Sequence, residues 1–243
     1  MKAGIIGYGR FGKLFVKYFA KYFQFEIYDK SFLLTNGEKE DCYNKFSECE
    51  FLFFAVPISQ LEDAIMEIYP FINKNALAAD LCSVQEFPLS ALKKYFPNNE
   101  IVSLHPLFGP ESVTESLKDH QVIMTYGQAS VERYRKLEGF FIKEGLRIIN
   151  MSAEEHDRQM AWTLCLTQFI GRGLGNLPLP KNKIGTKGYF DLFDIITRAN
   201  ADTIELFHDM NKFNRFSNEM RKKVIEEFMK LNLKLDDHDA SKH

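Results

Sequence analysis

The chain opens on a pattern that few folds can accommodate. Ala3-Gly4-Ile5-Ile6 is a small apolar run suited to a buried strand, and it breaks at once into Gly7-Tyr8-Gly9-Arg10-Phe11-Gly12. A helical stretch, Lys13 to Phe23, follows. Strand, G-x-G-x-x-G turn and helix in that order form a dinucleotide-binding fingerprint. Gly7 permits the tight turn, Gly9 lets backbone approach a pyrophosphate, and Gly12 lets helix and strand pack closely. The pyrophosphate rests on the free N–H groups at the helix N-terminus, where the macrodipole is positive.

A second apolar run, Phe25 to Tyr28, ends at Asp29, about 20 residues past the glycines, where an acidic side chain accepts from ribose hydroxyls. That carboxylate would repel a ribose phosphate, so NAD is expected, with NADP possible because Lys30 and Ser31 follow. Arg10 and Phe11 within the glycine turn, and Val56 and Pro57 at the end of a third strand (Phe51 to Val56), complete the expected cofactor set. Ser59 is the expected N-cap of a helix over Gln60 to Tyr69.

Further strands are expected at Ala76 to Leu81, Glu100 to Leu104, Gln121 to Tyr126 and Arg147 to Met151, with a helix over Ser130 to Glu144. Strands alternating with helices predict an α/β fold with a Rossmann, doubly wound parallel sheet across residues 1–151. Ligands of such sheets bind at the carboxyl ends of strands, where Gly7, Val56, Ser83 and His105 fall. Near residue 151 the character changes. Ser152-Ala153-Glu154-Glu155 is a capping box, the helix it opens extends to about Leu174, and the later stretches are all helical. A smaller all-helical domain is therefore expected over 152–235, with a flexible tail over 236–243. The apolar faces of that domain outnumber what it can bury alone, which predicts a homodimer through it.

Composition removes several classes. The formal net charge of -2 gives no bulk pull toward nucleic acid or an anionic membrane. The 23 Phe and 10 Tyr come without a basic stripe, so they read as core filling rather than base stacking. Cys42, Cys49, Cys82 and Cys165 form no C-x-x-C pair and have no zinc-ligand spacing. A reduced, cytoplasmic protein without a metal site is expected. With the fingerprint beginning at Gly7, no signal or transit peptide is expected, and the longest apolar run is too short to span a bilayer.

The chemistry is expected at two neighbouring strand ends. His105 is held extended by Pro106, and a histidine beside a nicotinamide has the pKa to take a proton as hydride leaves. Ser83 could bond the same substrate hydroxyl. These positions carry a resemblance. Asp80-Leu81-Cys82-Ser83-Val84-Gln85 is similar to a D-x-x-S-V-K element, and His105 to Ser112 to an H-P-M-x-G-P-E-S element. Glu154-Glu155-His156-Asp157 and Thr186-Lys187-Gly188-Tyr189 also have counterparts. Together they resemble the prephenate/arogenate dehydrogenases of tyrosine biosynthesis, with plant-type arogenate features.

The resemblance implies an NAD(P)-dependent oxidoreductase that oxidatively decarboxylates prephenate or arogenate, with His105 and Ser83 as catalytic residues. Its dianionic substrate calls for a cationic clamp, for which Arg172 and Arg198 are the candidates. Gln168 stands where the family carries a substrate-contacting histidine, and Gln85 where it carries lysine. Two alternatives stay open. One is a non-catalytic NAD-binding member of the same fold. The other is a different hydroxyacid-type dehydrogenase, against which counts the lack of any lysine from His156 to Asn176.

Overall fold

The computed structural model describes residues 1–180 and 182–240 and divides the chain into two compact units, Met1–His156 and Asp157–His243. The first unit is built on a seven-stranded sheet. Its strands are β1 (Lys2–Ile6), β2 (Gln24–Tyr28), β3 (Phe51–Phe54), β4 (Leu77–Asp80), β5 (Glu100–Pro106), β6 (Gln121–Gln128) and β7 (Arg147–Asn150), in the order β2-β1-β3-β4-β5-β6-β7. All seven expected strands are present. The expected all-parallel sheet needs one correction: β6 pairs antiparallel with β5, and β7 runs parallel to β6. No helix joins β5 to β6, so the chain returns as a loop rather than as a right-handed crossover.

Helix α1 (Arg10–Phe19) begins three residues earlier than expected, with Gly9 as its N-cap. Helices α2 (Asn36–Asn44), α3 (Leu61–Ile68), α4 (Glu86–Tyr95) and α5 (Val131–Lys143) complete the layers. Ser59 is not the N-cap of α3. It lies inside a short 3-10 turn, Ile58–Gln60, and Gln60 occupies the cap position. Ser130 does cap α5, accepting from the Arg133 N–H. One face of the sheet buries Ile5, Phe53, Ala79, Val102, Leu104 and Met124 together with Phe15 and Phe19 of α1 and Phe141 of α5. The phenylalanines pack mostly as tilted and edge-on pairs: Phe15 and Phe53 have ring centroids 4.8 Å apart, and Phe19 and Phe141 5.3 Å. This is where much of the aromatic content goes.

The second unit is helical among the described residues. After α6 (Ala153–Met160), a π turn at Ala161–Cys165 leads without a break into α7 (Leu166–Gly175), followed by α8 (Lys187–Ala201), α9 (Ile204–Phe213) and α10 (Ser217–Ala240). Gly171 and Gly175 let α7 lie close on α8. A Cβ at Gly171 would come within 2.5 Å of Ala199 Cβ, and one at Gly175 within 2.8 Å of Asn200 Nδ2. A small core forms from Cys165, Met210 and Met220. The expected tail is helical through Ala240, and residues 241–243 lie outside the described residues, as does Lys181 in the loop before α8.

Candidate active site

The glycine turn is held by what surrounds it. Gly7 has φ +97, in the region that favours glycine, and its N–H donates to the Tyr28 carbonyl at 2.8 Å. A Cβ there would meet the Ala55 carbonyl oxygen at 2.4 Å, and one at Gly12 would lie 2.1 Å from Gly7 O. Gly9 differs, because a Cβ built on it has nothing within 4 Å. The space above Gly9 is open, and no side chain caps α1 at that end. The orphan N–H groups of the first turn therefore face a cradle that a pyrophosphate fits.

A cavity of about 260 Å³ adjoins this turn, and Gly7, Gly9, Asp29, Lys30, Val56 and Pro57 are among its walls. Asp29 is fixed in it. Its Oδ2 accepts from the Tyr8 N–H at 2.6 Å, and its Oδ1 accepts from the Ser31 N–H at 2.9 Å and the Ser31 hydroxyl at 2.6 Å. Burial opposes ionisation of this carboxyl, but the Ser31 and Tyr8 hydrogen bonds prevail and hold it below the ordinary value. A fixed, ionised carboxylate at the end of β2 is suited to ribose hydroxyls. Lys30, beside it, bonds Gln60. Arg10 pairs with Glu111, and the Phe11 ring lies 6.1 Å from that of Phe108, so the loop after His105 reaches back to the glycine turn.

The second part of the site lies at the ends of β4 and β5. His105 is 5% exposed, and its Nδ1 lies 2.8 Å from Nε2 of His156, which is fully buried on the first turn of α6. Desolvation, with the nearby His156 adding to it, pushes the His105 pKa well below the ordinary 6.5, so the ring is neutral near neutral pH. His105 Nε2 has no hydrogen-bond partner among the described residues. Ser83 Oγ is likewise buried without a partner. Buried hydroxyls are ordinarily bonded, so this one, just beyond the end of β4, is available to a ligand group. The helix carrying His156 is anchored by Ser152, whose Oγ accepts from the Glu155 N–H at 3.2 Å.

The sequence points to His105 and Ser83 and marks Gln85 as a departure from the family motif, but nothing in it singles out Asp80. Asp80 is fully buried at the end of β4, opposite Ser103 in register, and accepts from the Cys82 N–H at 3.0 Å. Burial raises its pKa to about 7, and the Ser103 hydroxyl and Cys82 N–H only partly oppose this. Gln85 is also fully buried, and its Oε1 accepts the Thr125 hydroxyl. It is an internal strut, not a surface residue.

In the second unit, Gln168 is 4% exposed and points inward, as its helical stripe implies. Its Nε2 donates to Asp202 Oδ2 at 2.6 Å, and its Oε1 accepts from Arg172 Nε at 3.2 Å. Arg172 Nη2 also donates to the Asp202 carbonyl at 2.7 Å. Gln168 and Arg172 thus form one network tying α7 to the α8–α9 turn. Arg198 is exposed on α8 and stands outside it.

Comparison with known proteins fits this geometry. The family model of the prephenate dehydrogenase nucleotide-binding domain matches residues 31–150, and that of the TYRAAT1-like C-terminal domain matches residues 173–243. Arogenate dehydrogenase 2, chloroplastic, of Arabidopsis thaliana is 32% identical over 160 residues, 63% of this chain and 45% of that protein. Arogenate dehydrogenase 1, chloroplastic, of the same plant is 28% identical over 230 residues, 88% of this chain and 36% of that protein. The chain spans less than half the length of these relatives. Among solved structures, prephenate dehydrogenase from A. aeolicus, in complex with hydroxyphenyl propionate and NAD+, superposes with TM-score 0.71 at 19% identity, covering 98% of this chain and 90% of that one. That likeness shows the fold. Residues 31–150, which carry the strand-end serine and histidine, are thus similar to the nucleotide-binding domain of prephenate dehydrogenase, and the glycine cradle stands just ahead of that segment.

Proposed function

We propose that the chain is an NAD-dependent dehydrogenase that oxidises the ring hydroxyl of prephenate or arogenate with loss of carbon dioxide. The observation that carries this reading is the neutral, buried His105 at the end of β5, with Nε2 left without a partner. Such a ring can take the proton of a substrate hydroxyl. The Ser83 hydroxyl is the companion donor at the same oxygen. NAD, when bound, takes the hydride. The ketone so formed lets the ring carboxylate leave as carbon dioxide, because its loss creates an aromatic ring. The protein's tasks are to position the two reactants and remove one proton, and positioning alone can supply several kcal/mol.

Gly7, Gly9, Arg10, Phe11, Gly12, Asp29, Val56 and Pro57 are the proposed cofactor residues, with NADP as the less favoured cofactor because Asp29 is ionised. Gln168, Arg172 and Arg198 are proposed to serve the substrate. One observation favours a cofactor-binding but non-catalytic reading: Gln168 and Arg172 satisfy each other and Asp202 within their own unit. A homodimer is proposed through the second unit, where Trp162, Phe228, Met229, Leu231, Leu233 and Leu235 are exposed. Among the described residues no helix is long and apolar enough to cross a membrane, and a cytoplasmic location is proposed.

The test is to incubate the purified chain with NAD and each substrate and follow reduced cofactor. Turnover with either substrate supports the reading. Calorimetric binding of NAD without turnover would favour the non-catalytic one.

A further inference from the structure

The sequence places His156 in a motif at the start of the long helix, where it reads as an anchor of the domain junction, with ligand contact as the less favoured alternative. Its ring meets His105 edge-on, with centroids 5.0 Å apart and planes at 75°, and its Nε2 lies 2.8 Å from His105 Nδ1. Both rings are buried. A nitrogen–nitrogen contact this short holds one N–H and one lone pair, so the facing nitrogens share a single proton. That leaves two arrangements.

If the proton is on His156 Nε2, His105 must carry its own proton on the outward Nε2. It is then a donor and cannot act as a base. If the proton is on His105 Nδ1, the outward Nε2 presents a lone pair. The second arrangement also survives the reaction. When Nε2 of His105 takes the substrate proton, the imidazolium still donates from Nδ1 to His156 without any rearrangement. In the first arrangement the charged ring would set two N–H groups against each other.

We infer that His156 is a positioning residue: its Nε2 accepts the Nδ1–H of His105 and so fixes the tautomer in which His105 Nε2 is the proton acceptor. The inference rests on the dehydrogenase reading for its purpose, but its physical content does not need turnover. The balance is simple. The substrate C–H electron pair leaves as hydride to the nicotinamide, the O–H bond breaks, its proton joins His105 Nε2, and C=O forms. His156 gains and loses nothing. Unlike a carboxylate, it adds no negative charge behind the base, so it aligns the ring without making it a stronger cation trap.

The test combines two readouts on the full chain. ¹⁵N NMR of histidine-labelled protein, with the His105 signals assigned by their loss in His105→Asn, should show a protonated Nδ1 and an unprotonated Nε2 in the free protein. In His156→Leu the His105 signals should move toward a mixed or reversed tautomer. In steady state, His156→Leu should lower kcat by about 10²-fold or more, at the lower end of what a general base contributes, with KM little changed. His156→Gln, whose Oε1 can still accept, should recover most of that loss. A protonated Nε2 on His105 in the unaltered protein would overturn the inference. So would His156→Leu with an unchanged tautomer. If the chain turns over neither substrate while the NMR result holds, the substrate reading fails and the positioning role stands.

Discussion

Alanine at Gly9 and alanine at Gly12 perturb the same turn in opposite ways. At Gly9 the backbone has φ -71 and ψ -160, which any residue adopts, and a Cβ meets nothing within 4 Å. Alanine is a poorer N-cap than glycine by about 0.5 kcal/mol, while fewer unfolded conformations return about as much. Gly9→Ala should therefore change stability by no more than about 0.5 kcal/mol, or about 2 °C in Tm for a chain of this size. Its methyl enters the space proposed for the pyrophosphate, so NAD affinity should fall by about tenfold or more, about 1.4 kcal/mol. At Gly12 the new Cβ would lie 2.1 Å from Gly7 O, a backbone atom that cannot swing aside. Relieving it shifts α1 against β1 at a cost of about 1–3 kcal/mol, which lowers Tm by about 2–12 °C. Thermal melts and calorimetric titration with NAD distinguish the two variants. Gly9→Ala binding NAD as tightly as the unaltered chain, or Gly12→Ala melting at the same temperature, would contradict these roles of the two glycines.

Other expectations follow from the same structure. Asp80 binds its proton more tightly folded (about 7) than unfolded (3.8), so stability should fall as pH rises through that window, by up to about 4 kcal/mol in all. Asp80→Asn should flatten that slope in denaturant titrations and be the more stable protein at pH 8. His105 acts with the opposite sign: its folded pKa is depressed, so its contribution is present above 6.5 and is lost as pH falls below it. Urea titrations of His105→Asn below pH 6.5 should show a shallower acid loss than the unaltered chain. Gly171→Leu drives a side chain into Ala199 and the Ile195 carbonyl, and should cost about 1–3 kcal/mol in a thermal melt. Asp29→Asn removes the charge at the ribose position, and should narrow the preference for NAD over NADP when the two are titrated side by side.

What the sequence reveals here follows the range of each signal. The seven strands are legible because each is a short apolar run bounded by turn residues. Their direction is not, since alternation and hydrophobicity are the same read either way along a strand. Only the helix-free stretch between Pro106 and Gln121 hints that β6 turns back. Helix α4 escapes notice because Pro88 interrupts its pattern, although proline is tolerated in a first turn. Gln168 is placed inward correctly from its stripe, but its bonds to Asp202, 34 positions away, have no local signature. The same applies to His105 and His156, 51 positions apart, where each residue is visible and the contact between them is not. Asp80 stands in a quoted motif, yet only its complete burial reveals a carboxyl poised near neutrality.

His105 is proposed as the base of a dehydrogenase. Its most direct test is the initial rate of cofactor reduction by the purified chain with NAD and prephenate or arogenate, measured beside His105→Asn at matched NAD occupancy. Reduced cofactor from at least one substrate is predicted, with the rate about 10²–10⁴-fold lower in the variant. No reduction with either substrate and either cofactor, or an undiminished rate in His105→Asn, would contradict it.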